Sequence, residues 1–238
     1  GMTTEAALYS NTHGYWAVFM PVSQGRYYVA AFMRSQDMQR GSQSPQDFYL
    51  TCLQKVVPGW KRLENAKQIT PLEGIGPIDN GYREAFGPGW ALVGDAFHYK
   101  DPIDGQGIYD ALLESKYLAE AIRQWKSGKL TWEQAGALYK ENSWAATYPM
   151  FKMTTARVKR DVHTFPPRFI LNTLVRWMLT DPVFQEKMLR ALARVADPAE
   201  VPNMPTLGMI GRGILRSLGL GGKSEATSQP RQVQQYGK

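Results

Sequence analysis

One stretch of the sequence carries residue types spaced for chemistry. It runs Trp90-Ala-Leu-Val-Gly-Asp95-Ala-Phe-His-Tyr-Lys-Asp-Pro102-Ile-Asp-Gly105-Gln106-Gly107-Ile108-Tyr-Asp-Ala-Leu. The apolar run Trp90 to Val93 reads as a short buried strand ending at Gly94-Asp95, followed by a Pro/Gly loop and then a helix whose first turn is glycine-rich. In α/β sheets, ligands sit beyond the carboxyl ends of strands. Gly105 and Gly107 remove side chains where another group must approach the backbone closely. A helix start offers free amides and partial positive charge to an anion or an electron-rich oxygen. Asp95 can accept hydrogen bonds from hydroxyl groups. An acid for sugar-like hydroxyls beside amides for negative oxygens suits a nucleotide or a flavin. Gly94, Pro102, Gly105 and Gly107 would take these spacings by chance in roughly 0.4% of chains this long, so the pattern reads as a site rather than a set of turns.

The remaining sequence supplies the elements that must hold this loop. Residues 14–34 read as a β-hairpin: Trp16, Val18 and Met20 alternate with Tyr15, Ala17 and Phe19, and Tyr27 to Met33 repeats the enrichment after a Ser-Gln-Gly turn. Both faces of each strand are apolar, so both are expected to be covered. Ser44-Pro45-Gln46-Asp47 is a helix start, with Tyr49, Cys52, Leu53 and Val56 on one face and Pro58-Gly59 as its end. The helix from Gly107 is expected to bury Ile108, Ala111, Leu112, Ser115, Leu118, Ala119 and Ile122 and to expose Asp110, Glu114, Glu120 and Arg123. Thr131 and Gln134 form a capping box, Pro149 should kink or end the helix that they open, Phe165-Pro166-Pro167 is a break, and Asp181-Pro182 opens another helix. Residues 207–220 read as a packed C-terminal segment rather than a membrane-surface helix, and 221–238 as a disordered tail.

Composition removes other function classes. With 43% hydrophobic and 21% charged residues, the 238-residue chain can own a core. A single cysteine excludes a disulfide scaffold. No run of about 18 apolar residues predicts a transmembrane helix, and no signal peptide is evident, so cytoplasm is the expected compartment. The net charge is +7, from 28 basic and 21 acidic residues. The basic residues are dispersed apart from Arg157, Lys159 and Arg160, and no nucleic-acid-binding motif accompanies them, so the excess suits an anionic cofactor better. Cys52 reads as core and His98 as a loop-positioning residue; His13 and His163 are isolated in the sequence, without metal-ligand spacing. Asp101 and Asp104 are expected to cap or be solvated. Tyr15, Trp16, Tyr27, Tyr28 and Phe32 either fill core or line a pocket for an aromatic or polyprenyl substrate, and Trp16, Tyr28 and Phe32 are the substrate-binding candidates.

Leu92-Val93-Gly94-Asp95-Ala96-Phe97-His98, with Pro102, Gly105, Gly107 and Ala111, resembles the second FAD-binding motif of flavin-dependent monooxygenases of the hydroxybenzoate-hydroxylase type, a superfamily shared with geranylgeranyl reductases and flavin-dependent halogenases. The resemblance covers roughly residues 14–125. It implies that Asp95 binds ribityl hydroxyls of FAD, and that Pro102 to Ile108, with Gly105, Gln106 and Gly107, pass close to the isoalloxazine ring. It also implies that the hairpin belongs to a substrate-domain sheet. The implied fold is α+β, part of an α/β FAD-binding fold: a sheet portion with a helix at 1–89, a strand–loop–helix flavin segment at 90–127, a helical region at 128–220 and the tail. The implied activity is oxidation, most simply hydroxylation of an aromatic or apolar substrate with NAD(P)H and O₂. A geranylgeranyl-reductase-like activity is the nearest enzymatic alternative, and a non-catalytic paralogue that binds a partner is the other. The Gly-x-Gly-x-x-Gly segment that holds the ADP half of FAD in such enzymes has no counterpart before position 90, since Gly74-x-Gly76 is followed by Pro77 and opens no helix. The sequence therefore looks like the C-terminal part of a flavoenzyme, for which an N-terminal partner chain or self-association is expected.

Overall fold

The computed structural model describes residues 6–10, 13–23, 25–164 and 168–219. It is an α+β structure. The expected hairpin forms as β2 (Trp16–Ser23) and β3 (Arg26–Phe32), and β1 (Ala7–Ser10) adds a third antiparallel strand in the order β1-β2-β3. Gly25 takes the turn with φ 67°, and the register slips between Pro21 and Ser23, where proline has no N–H to give the ladder. Ala17 and Phe19 are buried on one face against Cys52, Leu53 and Val56. Cys52 and Leu53 belong to α1 (Pro45–Gln54), whose first turn is capped by the Ser44 side chain accepting the Asp47 amide at 3.0 Å. Cys52 is core, and burial pushes its thiol pKa up.

The opposite face of the sheet is not covered as expected. Directly opposed pairs share a face, so Trp16 with Phe32, Val18 with Ala30, and Met20 with Tyr28 line it together. Met20 and Tyr28 stand about half exposed. The expected helix end at Pro58-Gly59 also moves. α1 stops at Gln54, and both residues lie in α2 (Val57–Trp60), where proline is tolerated in a first turn and Gly59 lets the Phe19 ring approach.

The run Trp90 to Val93 is not a buried strand. β4 (Gly81–Tyr82) pairs with β7 (His98–Tyr99), and β5 (Phe86–Gly87) pairs with β6 (Trp90–Ala91), each as a two-residue antiparallel ribbon. Pro88 and the left-handed Gly89 turn the chain between β5 and β6, leaving Trp90 44% exposed. An apolar run records hydrophobicity but not the partner strand that would bury it.

α3 (Gly107–Lys126) and α4 (Trp132–Asp161) pack along each other. The Thr131–Gln134 capping box is present with both bonds. Pro149 does not end α4, which continues for three turns beyond it; the packing of a 30-residue helix with buried residues on both sides of Pro149 outweighs the lost N–H and the ring's crowding of the preceding turn. Gly136 lies so close under Phe86 that a β-carbon would sit 2.1 Å from the ring. Ala85, Phe97, Ala121, Ala135 and Tyr139 form the core beside it.

α3 is rotated against expectation. Asp110 and Glu114 are fully buried, whereas Ile108 is 80% and Leu112 68% exposed. The reason is that His98, Lys100 and Arg194 meet the two carboxylates on the inner side of the helix.

The C-terminal region opens with the short α5 (Arg168–Ile170), and α6 (Arg176–Leu179), α7 (Pro182–Leu192) and α8 (Leu207–Ser217) gather around Met178, Phe184, Ala191, Val201 and Met209. Asp181 caps α7 through the Phe184 amide at 3.1 Å, as expected from Asp181-Pro182, and also pairs with Arg212. α8 packs through Met209 and through Gly213 beneath Trp177. The break at 165–167 and the tail at 221–238 lie outside the described residues. Among the described residues no helix is long and apolar enough to cross a membrane.

Candidate cofactor site

The turn that carries Asp95 is built by Gly94. Its φ is 63°, and a β-carbon there would lie 3.1 Å from the Ala111 side chain, so glycine is what allows the turn to touch α3. Arg83 donates to the Asp95 and Ala96 carbonyls at 2.7 and 3.0 Å. With its backbone pinned, Asp95 presents an exposed carboxylate, and Oδ1 lies 3.7 Å from where a β-carbon on Gly107 would stand. The acid therefore lies against the first residue of α3.

The loop between them is held from below. Pro102 opens a short 3₁₀ turn (Pro102–Asp104) capped by Asp101, which accepts the Ile103 amide at 3.0 Å. Burial pushes the Asp101 carboxyl up from its ordinary range. Asp104 is not solvated: its side chain is buried, accepts from Thr154 at 2.7 Å and pairs with Arg157 on α4. Gly105 is left-handed at φ 63° with open space where a side chain would be. Gln106 occupies the N-cap of α3 but makes no capping bond. Among the described residues no side chain caps the first turn, and Gly105, Gly107 and Ile108 are exposed around it. An exposed acid, an open glycine and uncapped helix amides form an arrangement that ribityl hydroxyls and flavin oxygens can fill.

Behind this surface is a buried network that periodicity did not reveal. Glu114 accepts the Gly94 amide and the His98 Nδ1 proton, both at 2.6 Å. Asp110 pairs with Lys100 and Arg194, and its Oδ2 lies 3.6 Å from His98 Nε2. Burial, helped by the Arg194 charge, pushes the Lys100 ammonium down to about 8. Tyr82 stacks on His98 at 4.8 Å, and burial pushes its phenol up to about 12. A signal was available in the sequence. His98 and Lys100 are two apart in an extended segment that begins as β7, Asp110 and Glu114 four apart on a helix, so each pair shares a face with the opposite charge preference.

The candidate residues fall into three groups. Asp95, Gly105, Gly107 and Ile108 surround the start of α3, with Pro102 exposed in the loop leading to it. Gly94 is buried and shapes the turn, and the Gln106 side chain is buried and turned toward Arg194 and Leu192. Trp16, Tyr28 and Phe32 share the open face of the sheet, whereas Tyr15 and Tyr27 join the core on the other face. The Trp16 Nε1–H is buried without a hydrogen-bond partner. Among the described residues no cluster of His, Cys, Asp and Glu is arranged to hold a metal ion.

No family model matches the chain. Its structure is similar to that of PqsL, a probable FAD-dependent monooxygenase from Pseudomonas aeruginosa. The likeness covers 67% of this chain and 44% of that one, with a TM-score of 0.50 and 21% identity. A mutant form of PqsL aligns over 66% and 44% of the two chains, with a TM-score of 0.50 and 20% identity. In sequence, the chain is 24% identical over 123 residues to a 1H-pyrrole-2-carbonyl-(peptidyl-carrier protein) brominase from Pseudoalteromonas luteoviolacea, covering 51% of this chain and 30% of the brominase. The chain thus spans less than half the length of the relatives it matches, and over about two thirds of it the α+β fold is similar to part of that probable FAD-dependent monooxygenase.

Proposed function

We propose that this chain is the substrate-sheet and flavin-contacting part of a FAD-dependent oxidoreductase of the monooxygenase type, acting on an aromatic or apolar substrate with NAD(P)H and O₂. The observation that carries the reading is the exposed Asp95 carboxylate beside the uncapped, glycine-flanked start of α3. Asp95 accepts hydrogen bonds from ribityl hydroxyls. The amides of Gly107 and Ile108, supported by the positive end of α3, donate to the carbonyl oxygens of the ring. Pro102 and Gly105 shape the loop beside it. When bound, the flavin supplies the redox chemistry, taking electrons from the nicotinamide and delivering them to O₂. The chain's own part is to bind, orient and exclude water. Trp16, Tyr28 and Phe32 offer an apolar surface for a flat substrate. The ADP half of FAD would be held by a Gly-x-Gly-x-x-Gly segment outside this sequence, in a longer chain or a partner.

The likeness to a brominase favours a second reading, in which the same cofactor oxidises a halide rather than hydroxylating a substrate. Product analysis with FAD, NAD(P)H and O₂, with and without bromide, separates the two.

The binding reading is tested by titrating FAD into the chain, alone and co-expressed with an N-terminal flavin half, and following fluorescence quenching. Quenching is expected. Asp95→Ala should weaken it about tenfold, the worth of one or two charge-assisted hydrogen bonds. Equal affinity in the variant would remove Asp95 from the site, and no binding in either format would leave the non-catalytic, partner-binding reading.

A further inference from the structure

Arg194 is the one non-glycine residue with a positive φ, 57°, among the described residues. It stands just past the end of α7, where its amide donates to the Ala191 carbonyl and the Val195 amide to the Arg190 carbonyl, both at 3.0 Å, so the left-handed residue closes the helix and turns the chain there. Its guanidinium is nearly buried and reaches back to the start of α3. Nε donates to Gln106 Oε1 at 2.9 Å, Nη2 donates to Asp110, and the group lies 5.1 Å from the centre of the Tyr109 ring. Gln106 in turn donates to the Leu192 carbonyl at 3.2 Å. The Arg194 side-chain hydrogen bonds and its ring contact fall on residues 106–110, the cap position and first turn of α3.

Two features make this arrangement specific. A cation at a helix N-terminus is opposed by the macrodipole, so the Asp110 carboxylate, the Gln106 oxygen and the Tyr109 ring must together offset that cost. Gln106 occupies the position from which a side chain would close the free amides, yet its amide group is occupied at both ends by Arg194 and Leu192 and caps nothing.

We infer that Arg194 is a positioning residue of the cofactor site: from the C-terminal helices it fixes the first turn of α3 and holds the Gln106 side chain away from the amides that face the flavin. This rests on the reading of that helix start as the flavin site. It gives the C-terminal region a defined task, bracing a loop about 90 residues earlier in the sequence.

The test uses the full chain with Arg194→Met, which keeps length but removes charge and donors, and Arg194→Lys, which keeps charge but cannot span Gln106 and Asp110 together. FAD affinity is read by fluorescence quenching, and amide hydrogen exchange of residues 103–110 is read without flavin. Arg194→Met should weaken FAD binding about tenfold or more and speed exchange in that segment, with Arg194→Lys recovering part of both. Affinity within twofold of the unaltered chain, together with unchanged exchange, overturns the role of Arg194. Failure of the unaltered chain to bind FAD, with or without an N-terminal flavin half, overturns the flavin reading instead. Should Arg194→Met not fold, Arg194→Lys carries the same comparison.

Discussion

Replacing Glu114 should separate acceptor geometry from helix packing as the force that fixes α3. Its carboxylate is fully buried and takes two donors, the Gly94 N–H and the His98 Nδ1–H, each at 2.6 Å. Glu114→Ala leaves both donors in a dry environment and adds a cavity. Leaving a buried donor without its acceptor costs about 1–3 kcal/mol, and here two lose theirs. Glu114→Gln keeps the shape. Its oxygen can accept from Gly94, and its amide can donate to His98 Nδ1 once the imidazole proton moves to Nε2, which lies 3.6 Å from Asp110 Oδ2. That rearrangement should limit the loss to about 1 kcal/mol. For a chain of this size each kcal/mol moves the melting temperature by roughly 2–4 °C. Thermal unfolding at neutral pH should therefore show Glu114→Ala roughly 10 °C below the unaltered protein and Glu114→Gln only a few degrees below it. If Glu114→Ala melts within a degree or two of the unaltered protein, the network does not hold the turn. If Glu114→Gln is as damaging as Glu114→Ala, the negative charge is needed and the geometric account is wrong.

Packing and capping give two more outcomes. Gly136→Ala would push a methyl to within 2.1 Å of the Phe86 ring, and overpacking of that kind should cost about 1–3 kcal/mol in a urea melt; no loss would mean that β5 does not rest on α4 as described. The Asp181 carboxyl is held below its ordinary range, first by its hydrogen bond from Arg212 and then by the Phe184 amide. Its folded pKa lies below its unfolded one, so its stabilisation is complete above about pH 4 and fades as acid protonates it. Asp181→Asn should therefore reduce the stability difference between about pH 5 and pH 3, and an unchanged acid limb would contradict the pairing.

What could be read from the sequence was what local chemistry decides. The caps at Ser44, Thr131 and Asp181 and the turn at Gly25 form because each is settled within three or four residues. The start of α3 at Gly107 and the exposed Asp95 turn were legible for the same reason: glycines at fixed spacing mark where backbone must be bare. The errors fall where the deciding partner is distant. Trp90 to Val93 reads the same whether or not a long strand lies beside it. Glu114 meets Gly94 across 20 residues and Asp110 meets Arg194 across 84, and no periodicity within α3 contains either contact. Arg194 itself carries no sequence mark, because its partners Gln106 and Asp110 lie 88 and 84 residues away.

The rotation of α3 joins these threads. An isolated amphipathic helix would turn its apolar stripe inward, and here that stripe would be Ile108 and Leu112. Instead, Asp110 and Glu114 point inward, where His98, Lys100, Arg194 and the Gly94 amide offset the cost of taking two carboxylates out of water. A buried network of this kind specifies orientation more than it adds stability, because each member must meet its own partner. The orientation has a consequence for the site. Ile108 and Leu112, one helical turn apart, emerge on the outer face directly beyond the uncapped amides. The helix that starts beside Asp95 thus carries bare donors at its tip and exposes Ile108 and Leu112, which an apolar stripe packed on its own would have buried.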